Sequence, residues 1–104
     1  MTSEQTVEWL VQEMSDYLDA GSVGLYEFVN ELNDPDHPLP LNARKKIAQE
    51  ALARLLEAGN VEIQWQQWGR FDNLGTVTPD DLPDDPWQPP TDDNDGMFLA
   101  INRT

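Results

Sequence analysis

Residues 42–66, NARKKIAQEALARLLEAGNVEIQWQ, carry the strongest structural signal in the chain. Between 43 and 58 the apolar side chains recur at the spacing of one helical face. They are Ile47, Ala48, Ala51, Leu52 and Leu55, with Leu56 at the margin. Asn42 is a suitable N-cap, and Gly59 can end the helix with a positive φ. From 61 to 66 apolar and polar residues alternate, so this stretch predicts a helix followed at once by a half-buried strand.

Two further helices are predicted before this stretch. Residues 4–18 have an apolar stripe at helical spacing, formed by Val7, Leu10, Val11, Met14, Tyr17 and Leu18. Ser3 is the predicted N-cap, and Gly21 marks the end of this helix. A second helix is expected over about 23–33, opened by Ser22. Its apolar stripe consists of Leu25, Phe28, Val29 and Leu32.

The C-terminal third predicts short strands around an acidic segment. We expect a turn over 69–75, a short strand within 74–78 and a last apolar strand over 97–101. Residues 79–96, hereafter the acidic excursion, combine five prolines with many carboxylates, which disfavours a packed helix or a central strand. The order of elements predicts one α+β domain over residues 1–104, in which a three-helix core is closed by a small antiparallel sheet.

Two stretches resemble domains of the winged-helix superfamily. VGLYEFVNEL, residues 23–32, is similar to their second helix, and AQEALARLLEAGNVEI, residues 48–63, is similar to their third helix running into the first wing strand. The chain also looks like small bacterial proteins of that shape, which carry an acidic, proline-rich insertion with a tryptophan before the last strand. The resemblance covers residues 21–104 and implies a winged-helix-like fold. Most such domains bind DNA, but a fold does not by itself imply a function.

The net charge of −14 bears on the class of partner. Residues 1–37 contain nine acids and no lysine or arginine, residues 38–70 contain three acids and five bases, and residues 71–104 contain eight acids and one base. Such a field repels phosphate backbones and anionic lipid, and it attracts basic proteins. Acidity of this degree is equally expected if its role is only to keep a small protein in solution.

The charges of the third helix disfavour a nucleic-acid partner. A DNA-binding helix should present lysine and arginine along one exposed stripe. The corresponding stripe here is Lys46, Glu50, Ala53 and Glu57. We expect Lys46 and Glu50, at i and i+4, to neutralise each other, and the triplet 44–46 to pair with acids of the first two helices. The alternative function is a winged-helix transcriptional regulator, which would need one DNA-contacting surface formed by Arg44, Lys45, Arg54 and Arg70.

The residue types do not indicate an enzyme, a cofactor or a metal site. The chain has no cysteine, which excludes disulfides and thiolate metal sites. The one histidine, His37, lies between Asp36 and Pro38 with no marked nucleophile beside it, and the nucleotide-binding glycine motifs are absent. Residues 92–96, DDNDG, lack the bidentate glutamate of a calcium loop and are expected to form a solvated loop. We therefore predict a non-enzymatic protein without a cofactor.

A cytoplasmic location without membrane contact is the expectation for this sequence. No apolar run approaches the ~18 residues of a membrane span. The N-terminal residues MTSEQ have neither the basic region nor the apolar run of a signal peptide. The absence of cysteine is compatible with a reducing compartment.

The four tryptophans receive different predictions. Trp9 and Trp65 fit positions in the core or at its edge. Trp68 follows Trp65 by three residues and should point elsewhere. Trp87 lies in a polar segment stiffened by prolines, so its ring either pins that segment to the domain or contacts a partner, and the same two interpretations apply to Trp68.

We predict an acidic protein-interaction module that engages a basic protein. Concrete versions are an immunity protein that blocks a toxin with a basic cleft, or an inhibitor that mimics phosphate toward a nucleic-acid-handling enzyme. The predicted partner-binding residues are Trp68, Asp80, Asp81, Asp84, Asp85, Trp87, Asp92 and Asp93. A structural or scaffold module whose acidity serves only solubility is the third hypothesis.

Overall fold

A computed structural model of the protein describes residues 2–36, 38–69 and 73–104. The helices are α1 (Ser3–Ala20), α2 (Leu25–Glu31) and α3 (Leu41–Ala58). The strands are β1 (Val23–Gly24), β2 (Val61–Gln67), β3 (Thr76–Val77) and β4 (Met97–Arg103). The predicted α+β class is confirmed. No helix in the described ranges is both long enough and apolar enough to cross a membrane.

The strands form one antiparallel sheet in the order β1-β4-β2-β3. The central strands β2 and β4 pair along their whole length, from Val61 opposite Arg103 to Gln67 opposite Met97. The outer strands β1 and β3 are two residues each. Because β1 lies between α1 and α2 in the chain but pairs with β4, the sheet joins the N-terminal third of the protein to its C-terminal end.

The apolar stripes of the three helices meet the sheet in one buried core. The predicted stripe of α3 is buried throughout, and Leu56 lies at the margin, as predicted. The sheet contributes Val23, Ile63, Leu99 and Ile101 to the same cluster. Burying one aliphatic side chain of this size stabilises the fold by about 1.5–3 kcal/mol, so the periodic stripes are the principal source of stability.

The N-terminal end of α1 differs from the prediction by one residue, and that of α3 differs by two. Thr2, and not Ser3, caps α1: its hydroxyl accepts from the backbone N–H of Gln5 at 3.2 Å, and Gln5 Oε1 accepts from the backbone N–H of Thr2 at 2.9 Å. This reciprocal capping box satisfies two donors that the helix leaves open. The third helix begins at Leu41, so Asn42 lies inside its first turn and does not cap it.

The second helix is shorter than predicted. Ser22 does not open it, because Val23 and Gly24 pair with β4 as a strand and the helix begins only at Leu25. Gly24 occupies the N-cap position, and Glu27 accepts from its backbone N–H at 2.6 Å. Long-range strand pairing has therefore displaced the local preference for a helix start.

The predicted half-buried character of β2 is wrong. Ile63 is buried as expected, but Gln64 and Gln66 are only 2% and 1% exposed. Phe98 is the register partner of Gln66, and the ring of Tyr26 packs edge-on against Phe98 with centroids 5.7 Å apart. The first turn of α2 thus helps to close the face of the sheet that alternation predicts to be solvated.

Two aromatic residues of α1 are more exposed than predicted. Trp9 is 39% exposed and Tyr17 is 41% exposed, so neither belongs to the core. The Tyr17 hydroxyl donates to Glu31 Oε1 at 3.1 Å, and this hydrogen bond raises the pKa of Tyr17 above its usual value of 10.0. Tyr17 thus links the outer surfaces of α1 and α2. Trp65, by contrast, packs at the edge of the core as predicted.

Candidate functional site

The acidic excursion is folded against the domain. It begins with a 3-10 turn at Pro79–Asp81 and ends with a second 3-10 turn at Asp92–Asn94. Between the turns, Leu82 and Trp87 pack against the core cluster. The segment that composition marks as the least regular part of the chain is therefore fixed at both ends and in the middle.

Trp87 fixes the middle of the excursion. Its ring lies 6.3 Å, centroid to centroid, from the ring of the fully buried Phe28 on α2, with 47° between the ring planes. Trp87 also lines a cleft between α2 and α3, together with Leu41 and Lys45 of α3. The contact supports the interpretation of Trp87 as the residue that pins the excursion.

Five of the six predicted aspartates lie on the outside of the excursion. They are Asp80, Asp81, Asp84, Asp92 and Asp93. The sixth, Asp85, is partly buried and lies 3.5 Å from the ammonium nitrogen of Lys45. It also accepts from the backbone N–H of Trp87 at 3.3 Å. Asp85 therefore acts inside the protein, and the prediction that the triplet 44–46 pairs with acids of the first two helices is wrong for Lys45.

Arg54 and Arg103 also pair with carboxylates, at separate places. Arg54 lies 2.8 Å from Glu4 and 3.5 Å from Glu50, so Glu50 pairs with Arg54 and not with Lys46 as predicted. The Arg54 hydrogen bond lowers the pKa of Glu4 below its usual 4.5. At the end of β4, Arg103 lies 2.9 Å from Asp19.

Three of the four residues that the DNA-binding alternative requires on one surface lie on α3, and they are directed to different partners. Lys45 is directed to Asp85, whereas Arg54, nine residues further along the helix, is directed to Glu4. Arg44 donates from Nε to the backbone carbonyl of Leu39 at 3.2 Å. Arg70, the fourth residue of that predicted surface, lies outside the described residues, as do Asp72 and His37.

Trp68 is the most exposed large apolar residue of the described chain, at 66%. Its backbone is nevertheless fixed, because its N–H donates to the carbonyl of Gly96 at 2.8 Å. The side-chain amide of the preceding residue, Gln67, donates from Nε2 to the backbone carbonyl of Asp95 at 2.8 Å. Gly96 has a φ of 74°, and a Cβ at this position would lie 3.3 Å from the Trp68 Cβ, so glycine permits this close approach. The indole is therefore presented to solvent from a rigid support.

An open cleft of about 330 Å³ lies beside Trp68. Hereafter called the Trp68 cleft, it is lined by Tyr26, Trp68, Pro89, Pro90, Thr91, Asp92 and Gly96. It therefore brings together two of the predicted residues, Trp68 and Asp92. Asp80, Asp81, Asp84 and Asp93 do not line it.

The far wall of the Trp68 cleft is braced by hydrogen bonds within the excursion. Asn94 accepts from the backbone N–H of Thr91 at 2.8 Å and donates to the carbonyl of Pro89 at 3.0 Å. The backbone N–H of Gly96 donates to the carbonyl of Thr91 at 2.8 Å. Hydrogen bonds within the excursion thus hold this wall. This bracing is also the structure of the DDNDG loop, and the described residues include no group of three side chains suited to bind a metal ion.

Tyr26 is the functional candidate that sequence reasoning missed. It lies off the apolar stripe of α2, so helical periodicity treats it as a surface residue. Its position depends on Gly24: a Cβ there would lie 2.5 Å from a Tyr26 ring carbon, so the ring stands directly over the glycine. Burial raises the pKa of Tyr26 above its usual 10.0. In the sequence, the local signal for this contact is the position of Gly24 two residues before Tyr26.

Comparison with models of known protein families, with curated proteins and with solved structures finds no match for this chain. The resemblance to the winged-helix superfamily therefore stays a prediction. Any functional proposal depends on the geometry and charge of the described residues.

Proposed function

We propose that this protein is a non-enzymatic interaction module that binds a basic protein, in the manner of an immunity or inhibitor protein acting on a nucleic-acid-handling partner. The observation that carries the proposal is an asymmetry of pairing. Lys45, Arg54 and Arg103 are each held by a carboxylate of the same chain, whereas six of the seven aspartates of the acidic excursion are exposed. Internal pairing thus leaves an unbalanced negative surface on a fixed segment.

The charge of that surface favours a cationic partner. Fixed like charges repel one another, and an approaching basic protein relieves this repulsion while it is attracted over a Debye length of about 10 Å at 0.1 M salt. Electrostatic complementarity of this kind acts chiefly on the association rate and on the choice of partner. Compact cationic clefts that bind nucleic acid are the protein surfaces with the most suitable charge.

The exposed indole supplies the apolar component that charge alone lacks. Aromatic side chains surrounded by polar residues are enriched among the residues that dominate binding energy. Trp68 has this character, because it is exposed and lies beside Asp92 at the edge of the excursion. In this proposal the aspartates steer the partner and Trp68 anchors it.

The test compares two variants with equal changes in net charge. In the excursion variant, Asp80, Asp81, Asp84 and Asp93 become asparagine. In the control variant, four acids outside the excursion are neutralised: Glu8→Gln, Asp16→Asn, Asp36→Asn and Glu57→Gln. Association rates with a folded cationic nuclease are measured by stopped flow between about 0.02 and 0.5 M salt. Over this range the Debye length decreases from roughly 20 Å to roughly 4 Å, so that charge steering is progressively screened.

We expect wild-type association to slow by roughly tenfold or more across this salt range, as steered encounters do. The excursion variant should lose more of the low-salt rate than the control variant. Equal losses, or a rate independent of salt, would contradict the proposal and favour a purely solubilising role. A shift of duplex DNA by micromolar protein at low salt would favour the winged-helix regulator instead.

A further inference from the structure

The geometry points to the Trp68 cleft as a binding site for an arginine side chain of the partner. This inference rests on the proposed function, because it specifies which chemical group of a basic protein the site receives. The occupant is a guanidinium group that stacks on the aromatic walls and forms an ion pair with Asp92.

The lining of the cleft matches that group. Tyr26 and Trp68 offer aromatic rings, Pro89 and Pro90 offer flat apolar walls, and Asp92 offers a carboxylate. A guanidinium is planar and weakly hydrated, stacks on aromatic faces and can be held bidentately by a carboxylate. A lysine ammonium is a compact, strongly hydrated charge and gains less from flat walls. An anionic or purely apolar group would leave Asp92 unmatched.

Contacts within the protein hold the backbone of the site. The Tyr26 ring packs against Gly24 and lies nearly perpendicular to the Phe98 ring, and the bond to Gly96 holds the backbone of Trp68. The Thr91–Asn94 bonds hold the opposite wall. Binding therefore orders little of this protein's backbone, and the entropic cost falls on the Trp68 side chain and on the incoming arginine.

The charge of the rest of the protein adds to this selectivity. The neighbouring Asp93 is exposed and does not line the cleft, so it contributes field without direct contact. Of the basic triplet at 44–46, Lys45 is already paired with Asp85. An arginine on a basic surface is therefore attracted by the negative potential of the excursion as it approaches, and it then binds in the Trp68 cleft.

The probe is acetyl-(Gly-Ser-Arg)4-amide, compared with analogues in which every arginine is replaced by lysine or by the neutral isostere citrulline. Dissociation constants are measured by calorimetry, and the indole N–H signals of the tryptophans are followed by NMR. We expect the arginine peptide to bind at least about threefold more tightly than the lysine peptide, and the citrulline peptide to bind too weakly to measure. The Trp68 indole signal should move most.

Matched variants separate the cleft from the general field. Trp68→Ala should weaken binding of the arginine peptide by about 5- to 30-fold, the range expected for removal of a cation–π contact, whereas Trp9→Ala, which removes an exposed tryptophan from α1, should change it less than about twofold. Asp92→Asn should weaken binding several times more than Asp93→Asn, although both remove one charge from the same turn.

Two results would overturn the assignment: equal effects of Asp92→Asn and Asp93→Asn, or an unchanged affinity in Trp68→Ala. Either of them leaves the proposed function standing if the cationic nuclease still associates in the salt-dependent manner described above. If the wild-type protein binds the arginine peptide through the cleft but does not associate with the nuclease, the proposed function is contradicted and the chemistry of the cleft is supported.

Discussion

Removal of the Trp87 ring should destabilise the protein and release the acidic excursion. A Trp→Ala change at a fully buried position costs about 3–5 kcal/mol, and Trp87 is only partly buried, so we expect about 1.5–2.5 kcal/mol. For a domain of this size that loss corresponds to a decrease in Tm of roughly 6–20 °C. The lost contact is chiefly with Phe28, which is itself fully buried.

The assay is urea unfolding of Trp87→Ala followed by circular dichroism at 222 nm, which does not depend on the tryptophan removed. Trp68→Ala is the control, because the same change at a 66% exposed side chain should cost less than about 0.5 kcal/mol. Limited proteolysis should cleave Trp87→Ala within 79–96 faster than the control. Equal unfolding midpoints for the two variants, or unchanged proteolysis of the excursion, would refute the conclusion that Trp87 pins this segment.

Three further predictions concern other contacts. Glu31→Ala should lower the pKa of Tyr17 toward 10.0, because the hydrogen bond that the neutral phenol donates to Glu31 raises this pKa. The bond stabilises the fold at pH values below the pKa of the unfolded chain, and this stabilisation is lost as the pH rises through the folded pKa. Ultraviolet titration at pH 9–12, roughly the range of tyrosine ionisation, measures the change in the Tyr17 pKa. Gly24→Ala should cost about 1–3 kcal/mol by displacing the Tyr26 ring, and the same change should cost much less in a Tyr26→Ala background, where there is no ring to displace; equal losses in the two backgrounds in urea unfolding would contradict that contact. Gln66→Met should not lower the urea midpoint, because it removes a buried Nε2 without a hydrogen-bond partner among the described residues, which costs about 1–3 kcal/mol, and this gain offsets the loss of the 3.3 Å bond that Oε1 accepts from the Ser22 hydroxyl.

The helical core could be predicted because its signals are local. The stripe of α3 and its terminal Gly59, which has a φ of 82°, follow from spacing and from the conformational freedom of glycine. The errors occur where a distant segment intervenes. Val23 and Gly24 form a strand only because β4 offers a free edge, and Gln66 is buried only because residues outside its own strand cover it.

The candidate site shows the same division. Composition placed the aspartates of the excursion at the surface, because carboxylates are rarely buried, whereas for Trp68 the sequence left open whether the ring packs on the domain or is exposed. Composition could not identify Asp85 as an internal partner of Lys45, because that pairing depends on where the excursion crosses α3. Nor could it place Tyr26 and Pro90 in one cleft, because these residues come together only in the folded chain.

Chemical-shift mapping of the protein with the arginine peptide tests most directly whether the fixed acidic excursion is the binding surface. Backbone amides of 79–96, together with those of Trp68 and Tyr26, should show the largest perturbations, and these should diminish as salt is raised. Perturbations that follow the acids of α1 as strongly as those of the excursion, or shifts that persist unchanged at high salt, would contradict the account.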